Sequence, residues 1–383
     1  MLNRLIIKNV YSISSCEIDF TKDKYKYLED NINGDIVNPV AIYGHNGSGK
    51  SSILKAISQL IRLMVDPATI LSPFVVNNFL FDKYTTSKKK DISNVTGSIE
   101  LYFDLNNTNY NYFISTTSFD GIKFEYLKKD NDIVFERKEK NYIYNGKSQI
   151  ADNSSPLVPT LRRLASSEIN DETIQKVYSY ISSFTVVNLP DMSSQHGFVT
   201  SKIFNNINYM DLLVNKADEV KEILKDYNEF PIYNISKQEM KDPRMMNQTR
   251  YFIEIEGDDF KGTLPFEFIS EGMKNQSALL SILLSMPENS VLFIDEVEQA
   301  LHPSAIRSFI EVIKKRNVQV FFSSHNTNIL QILRPDQVYF ANWSKGYSNY
   351  SRLSKIYPNI REINNIEKMY LSSLFNEGIK DVK

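Results

Sequence analysis

An α/β protein built on a mixed sheet is the fold this sequence predicts, and three observations predict it. An apolar run at 39–43 leads into a glycine-rich loop, and then into apolar residues at helical spacing. After Ser270 the pattern alternates helix, strand, helix and strand, a second α/β segment. Between the two, residues 98–144 alternate apolar and polar side chains in short runs split by Asn, Asp and Gly, the pattern of antiparallel strands. Two ends of the chain are therefore expected to meet in one core.

The N-terminal elements come first. Leu5-Ile6-Ile7 and Ile18-Asp19-Phe20 read as a hairpin that feeds the strand Pro39-Val40-Ala41-Ile42-Tyr43. The loop that follows, Gly44-His45-Asn46-Gly47-Ser48-Gly49-Lys50-Ser51, fits G-x-x-x-x-G-K-[ST], the phosphate-cradling P-loop. Ile53, Leu54, Ile57, Leu60, Ile61 and Met64 then recur as one helix face. Strand, loop and helix are the context this motif needs. Glycines let the backbone approach a polyphosphate, and the new helix adds its positive end. Lys50 is expected to reach the β- and γ-phosphates, and the Ser51 hydroxyl to complete a Mg²⁺ shell. Gly44, His45, Asn46, Gly47, Ser48, Gly49, Lys50, Ser51 and Ser52 are the expected nucleotide-binding set.

In the middle of the chain, strands are expected at 110–115, 122–127, 132–136 and 141–144, after the alternation of Ile99, Leu101 and Phe103. Residues 156–227 turn helical, with helices at 160–165, 172–183 and 217–227. A polar stretch at 240–248 reads as loop, and strand pattern resumes at 251–255. The expected organisation is an N-terminal lobe over 1–150, an inserted helical lobe over 151–250 and a C-terminal lobe over 251–383.

Composition bounds the function. The chain has 383 residues, 42% hydrophobic and 23% charged, enough for a large core. Net charge is −2, from 44 basic and 46 acidic residues, so nothing global points to nucleic acid or a membrane surface. Lys88-Lys89-Lys90 and Lys314-Lys315-Arg316 read as solvated faces. A single cysteine, Cys16, excludes an intrachain disulfide and fits a reducing cytosol. The N-terminus is too short and polar-flanked for a signal peptide, and the apolar stretch 278–294 is cut by Met286-Pro287-Glu288-Asn289-Ser290. A cytoplasmic protein is expected.

The C-terminal segment carries a second set of motifs. Val291-Leu292-Phe293-Ile294-Asp295-Glu296 is an apolar strand that ends in two carboxylates, the Walker B arrangement. Asp295 is expected to hold Mg²⁺ and Glu296 to face the attacking water. The next strand ends in Phe321-Phe322-Ser323-Ser324-His325, where a histidine can donate to a γ-phosphate oxygen. Ile269-Ser270-Glu271-Gly272-Met273 opens a helix, either as an ordinary N-cap or as a second phosphate-grade surface. Asn215-Lys216-Ala217-Asp218 imitates the guanine-reading N-K-x-D pattern, but the acidic pair is Asp-Glu without a following D-x-x-G, and its flanks read as helix.

In this order the pieces resemble the ABC-type ATPase heads of the RecF, SMC and OLD families, and above all the prokaryotic AAA ATP-binding proteins of anti-phage systems, the RloA-like and abortive-infection ATPases. The likeness rests on Leu5-Ile6-Ile7-Lys8-Asn9-Val10-Tyr11-Ser12, residues 44–52, 268–276, 293–303 and 321–330, and Leu333-Arg334-Pro335-Asp336-Gln337. Most telling is Asp295-Glu296-Val297-Glu298-Gln299-Ala300-Leu301-His302-Pro303, which looks like the D-E-x-E-x-x-L-H-P of that group.

The resemblance implies an ABC-head fold whose mixed core sheet carries an antiparallel β subdomain and an inserted helical lobe. It implies ATP and Mg²⁺ as ligands, with Lys50, Glu296 and His325 as catalytic residues. Ser270 and Gly272 stand where the signature acts in trans on a second subunit's ATP, and residues 299–302 where the seam-lining D-loop lies. A homodimer sandwiching two ATPs follows, with higher assemblies allowed and a separate effector protein, a nuclease or toxin, as partner. DNA is a further partner, and DNA repair of the RecF or SMC kind is the alternative function. A transporter subunit and a non-hydrolysing scaffold are the remaining readings.

The departures are specific. The signature reads I-S-E-G-M, not L-S-G-G-Q, and no Gln occurs between Gln59 and Gln149. Asn77, Asn78 and Asp82 are the candidates to replace a Q-loop residue, and Tyr11 the candidate adenine-stacking ring. No heptad run predicts a coiled-coil arm. The 58 residues after His325 are short for a TOPRIM nuclease, so a nuclease is expected on a partner chain.

Overall fold

The structure is a computed structural model that describes residues 1–65, 95–117, 121–150, 157–189, 199–203, 209–225, 232–240, 248–257, 260–301, 306–344, 346–361 and 364–372. Strands β1 (Leu2–Val10) and β2 (Ile13–Asp19) form the expected hairpin, with Leu5 opposite Ile18. A small hairpin, β3 (Ile32–Asn33) with β4 (Ile36–Val37), precedes β5 (Val40–Tyr43) and helix α1 (Lys50–Val65). A meander follows: β6 (Thr96–Leu105), β7 (Thr108–Thr117), β8 (Gly121–Lys129), β9 (Asp132–Lys138), β10 (Asn141–Tyr144) and β11 (Lys147–Ile150). Its turns use residues that tolerate positive φ, such as Asn106 and Asn107 at 55° and 62° between β6 and β7.

Helices α2 (Thr160–Ala165) and α3 (Glu172–Ser182) come next, α3 capped by Asp171, whose side chain accepts the Thr173 and Ile174 amides. Then come β12 (Thr185–Asn188), β13 (Val199–Thr200), α4 (Tyr209–Asn215) and α5 (Ala217–Lys225). A separate three-stranded sheet holds β14 (Ile232–Met240), β15 (Gln248–Gly257) and β16 (Phe260–Pro265). The C-terminal run is α6 (Glu271–Ser285), β17 (Val291–Asp295), α7 (Ile306–Arg316), β18 (Gln319–Ser323), β19 (Val338–Ser344), β20 (Tyr347–Arg352), α8 (Leu353–Ile356) and α9 (Ile366–Leu371).

Among the described residues one sheet holds fifteen strands, in the order β11-β10-β9-β8-β7-β6-β1-β2-β20-β19-β5-β18-β17-β12-β13. Strands β19, β5, β18, β17 and β12 run parallel. Burial on both faces is why β5, β17 and β18 read as apolar runs. Val40 and Ile42, Val291 and Phe293, and Phe321 face a core shared with α1, α2 and α3. Ala41 and Tyr43, Leu292 and Ile294, and Val320 and Phe322 face the opposite core, with α6 and α7. The joining of the chain's two ends is thus a sheet neighbourhood: β5 lies beside β18, with Ala41 opposite Phe322.

The sheet is mixed, as the sequence predicts: the meander is continuous with the parallel core through β1 and β2, because Leu5 pairs with Leu101 on one side and Ile18 on the other. One segment differs from the sequence reading. Region 156–227, read as helical, also contributes β12, which pairs with β17 and carries Val187 beside Ile294. Four residues are too few for a period to emerge. The segment Leu212-Leu213-Val214 lies in α4, so the N-K-x-D imitation joins two helices. Most of the polar stretch at 240–248 lies outside the described residues.

Candidate nucleotide site

Parallel strands deliver their C-terminal ends to one edge, and there β5, β18 and β17 end in Tyr43, Ser323 and Asp295. The loop leaving β5 is pressed against its neighbours. A Cβ on Gly44 would lie 2.4 Å from the Ala341 carbonyl oxygen and 2.6 Å from Ser48 Oγ. At Gly49, with φ of 100°, it would lie 2.0 Å from Ser348 Oγ. Only glycine fits both places. His45, Asn46 and Gly47 are exposed at the loop's crest. Ser48 is buried, its amide donates to the His45 carbonyl at 3.1 Å, and its hydroxyl has no partner among the described residues.

Lys50 opens α1 with a buried side chain. Its Nζ donates to the carbonyls of Gly44 at 2.8 Å and His45 at 3.2 Å. Burial pushes its pKa down, while the carboxylates of Asp295, Glu296 and Glu298 act to raise it. Lys50 and the acidic strand end are therefore one electrostatic neighbourhood. Ser51 and Ser52 follow on the first turn, half-buried.

Asp295 is buried and accepts from the Ser323 hydroxyl at 2.5 Å. That same oxygen accepts the Glu296 amide at 2.8 Å. Glu296 sits in the left-handed region, φ 51° and ψ 61°, which a non-glycine residue keeps only when its surroundings insist. Its Oε2 accepts from Gln299 Nε2 at 3.3 Å. Glu298 Oε1 accepts the His325 amide at 2.7 Å, which ties the loop after β18 to the turn after β17. Partial burial and the Lys50 ammonium hold the His325 imidazole below its usual pKa, against opposing pulls from Glu298 and Glu296.

Ser270 caps α6 and accepts the Met273 amide at 3.4 Å. Ser270 and Gly272 are exposed, beside Phe268 at 75% exposure. They stand on the surface, and no hydrogen bond among the described residues joins them to the Lys50 and Asp295 cluster. One link reaches toward it: Asn275 Nδ2 donates to the Gln299 carbonyl at 3.2 Å.

The sequence profile of one protein family, described as "AAA domain, putative AbiEii toxin, Type IV TA system", matches residues 40–331. The chain belongs to that family. The match opens at the first residue of β5 and runs past His325, so it takes in both halves of the AAA core. A search of the curated proteins finds no match. Solved structures with a similar fold include the SMC head domain from Thermotoga maritima, 14% identical at a TM-score of 0.44, over 92% of this chain and 98% of that chain. The Smc head domain bound to the C-terminal domain of ScpA, from Pyrococcus furiosus, is 13% identical at 0.46, over 99% of both chains. The recombination mediator protein RecF with ATP is 11% identical at 0.39, over 92% of this chain and 99% of that chain.

The AAA core thus brings together Gly44 to Ser52, Asp295, Glu296 and His325, and leaves Ser270 and Gly272 outward. Asn77, Asn78, Asp82, His302 and Pro303 lie outside the described residues. Tyr11 lies in the turn between β1 and β2, half-buried, with Arg62 close enough to act on its hydroxyl. Sequence reasoning assigned no role to Ser323, whose doubled hydrogen bond depends on β17 and β18 being neighbours. It likewise assigned none to Leu333-Arg334-Pro335-Asp336-Gln337, which proves to be a buried polar knot. Arg334 grips Asp336 through two bonds of 2.9 Å, and Gln337 Nε2 donates to the Pro39 carbonyl at 2.6 Å, just before β5.

The residues present fit Mg²⁺ bound together with a triphosphate. Among the described residues no group of three or more His, Cys, Asp or Glu is placed to hold a metal alone. Mg²⁺ prefers one or two protein oxygens alongside phosphate and water, which Ser51 and Asp295 match in type. The glycine cradle and the unpartnered Ser48 hydroxyl match a polyphosphate in the same way. No described helix is long and apolar enough to cross a membrane.

Proposed function

We propose that this AAA protein binds and hydrolyses ATP, closes into a two-fold dimer around it, and acts as a switch over a separate effector in anti-phage defence. The observation that carries the reading is the meeting of Lys50 with Asp295 and Glu296 at one sheet edge, from segments far apart in the chain. The defence role is supported by the family's description as an AbiEii-type toxin domain.

In this reading the loop amides and Lys50 bind the triphosphate, and Lys50 exchanges its bonds to the Gly44 and His45 carbonyls for phosphate oxygens. Ser51 and Asp295 would hold Mg²⁺, which would supply positive charge to offset the triphosphate. Glu296 orients and deprotonates the attacking water, held at its angle by Ser323. His325, neutral at pH 7, donates to the γ-phosphate without adding a second positive charge beside Lys50. Ser270 and Gly272, outward on their own subunit, meet the γ-phosphate of the partner. The lobes 1–150 and 251–383 form the ATPase, and 151–250 is the inserted lobe. The location is cytoplasmic.

The test is phosphate release together with solution mass by light scattering, each with and without ATP and Mg²⁺. Turnover and an ATP-dependent doubling of mass are expected, the doubling strongest in Glu296→Gln. A constant mass would remove the dimer, and a lack of turnover the enzyme. Turnover stimulated by duplex DNA in a salt-dependent way would move the function to DNA metabolism.

A further inference from the structure

Three serines and a tyrosine lie beneath the phosphate loop, drawn from three separate parts of the chain. Ser348 on β20 is fully buried. Its amide donates to the Ser12 carbonyl at 2.8 Å, and its hydroxyl donates to Ser12 Oγ at 2.7 Å. Ser12 Oγ lies 2.8 Å from Ser52 Oγ, on the first turn of α1. Tyr350, two residues after Ser348, donates from its hydroxyl to the Gly49 carbonyl at 2.8 Å.

We propose that Ser12, Ser348 and Tyr350 are positioning residues for nucleotide binding, which orient the Ser52 hydroxyl and the Gly49–Lys50 peptide toward the phosphates. This rests on the reading of the loop as an ATP site. Each hydroxyl carries one proton. Ser348 gives its proton to Ser12. If Ser12 then gives its own to Ser52, the Ser52 proton is left to point outward. Of the two orders open to the Ser12–Ser52 bond, this is the one an anion selects, because the other spends the Ser52 proton inward. A chain of hydroxyls so ordered is also polarised along its length, which strengthens the last bond.

Tyr350 acts on the backbone. In a trans peptide the C=O and the following N–H point opposite ways. Holding the Gly49 carbonyl inward, where it also accepts the Ser52 amide at 3.0 Å, aims the Lys50 amide outward. The contact is tight as well as polar, since any Cβ on Gly49 would fall within 2.8 Å of Ser12 Oγ and closer still to Ser348. The floor of the site is thus the seam between β2 and β20, which meet at Ile13 and Ser348. The hairpin of β19 and β20, downstream of His325, becomes part of the nucleotide site.

The experiment measures ATP–Mg²⁺ affinity by calorimetry, and kcat and KM by phosphate release, on the full chain. Ser12→Ala, Ser348→Ala and Tyr350→Phe are each expected to weaken binding about tenfold, the order of one charge-assisted hydrogen bond, with kcat retained. Ser12→Thr should restore affinity. The Ser12→Ala/Ser348→Ala double variant should lose no more than either single, because both break one chain. Thermal melting identifies any variant whose loss is a folding defect, and Ser12, half-exposed, is the position least prone to it. Wild-type affinity in Ser12→Ala and Tyr350→Phe, or additive losses in the double variant, would overturn the proposal while leaving the ATP site intact. A wild-type chain that binds no ATP overturns both.

Discussion

Ser323 holds Asp295 and Glu296 at once: its hydroxyl donates to the Asp295 carboxylate at 2.5 Å and accepts the Glu296 amide at 2.8 Å. One oxygen on β18 thus sets the carboxylate that ends β17 and the backbone of the next residue, which is held at positive φ. Ser323→Ala leaves the Glu296 amide without its acceptor, a loss of about 1–3 kcal/mol. ATP turnover is expected to fall about tenfold as Glu296 leaves its angle. Ser323→Thr keeps the hydroxyl and should keep most of the rate. Equal phosphate release from the alanine and threonine variants would show that the bridge has no part in hydrolysis.

Binding and chemistry should separate between Lys50 and Glu296. Lys50→Ala removes a cation from a buried place and is expected to abolish the calorimetric signal for ATP. Glu296→Gln keeps size and polarity and loses only the base. It should bind ATP as wild type does, hydrolyse it about a hundredfold more slowly or worse, and accumulate as a dimer. Unchanged turnover in Glu296→Gln removes Glu296 from the mechanism.

Both of these sites were legible in the sequence. The segment 39–64 was legible because its cues are local: a short apolar strand, a spaced set of glycines, then a helix face at 3.6-residue period. The β17 strand was legible for the same reason, four apolar positions ending in acid. The meander was legible up to β10 through its turn residues, with Asp130-Asn131 between β8 and β9, while β11 went unread. The elements that escaped depend on distance in the chain. Strand β12 has four residues and joins the parallel core by pairing with β17, more than a hundred positions later. Ser12 and Ser348 are ordinary serines until 336 residues of chain bring them within 2.7 Å. Arg334 and Asp336 carried the resemblance but no role, and only the tertiary structure shows that both are buried.

That hidden pair makes a stability prediction. Arg334 and Asp336 have no exposed side-chain surface, and the guanidinium also donates to the Tyr25 and Tyr27 carbonyls at 3.1 and 3.0 Å. Asp336 in turn accepts the Asp23 amide at 2.8 Å. The pair ties the segment after β2 to the start of β19. Asp336→Ala would leave a buried cation without its counter-charge, and a loss of about 3–5 kcal/mol is expected. Removing both charges should not restore stability fully, since the Tyr25, Tyr27 and Asp23 backbone groups lose their partners too. Denaturant melts of the single and double variants check this, and a wild-type midpoint for Asp336→Ala would refute it.

Partial burial, then Lys50, hold the His325 imidazole below its usual value of 6.5, and Glu298 and Glu296 only partly offset them. The folded chain therefore binds this proton less readily than the unfolded chain. The stability that His325 contributes is complete above the unfolded pKa and is lost as pH falls through the folded one. At pH 7 the ring is neutral and keeps one N–H to donate. Acidification adds a charge beside Lys50 and should lower stability below about pH 6.5. In an NMR titration, with the His325→Gln spectrum to assign the resonance, the midpoint should lie below 6.5. Lys50→Met should move it upward by removing the like charge. A bound, non-hydrolysable ATP analogue should also move it upward, because phosphate oxygens favour the imidazolium. A midpoint above 6.5 in the free protein, or one insensitive to Lys50→Met, would mean that the ring does not sense the ammonium, and the γ-phosphate role assigned to it would lose its physical basis.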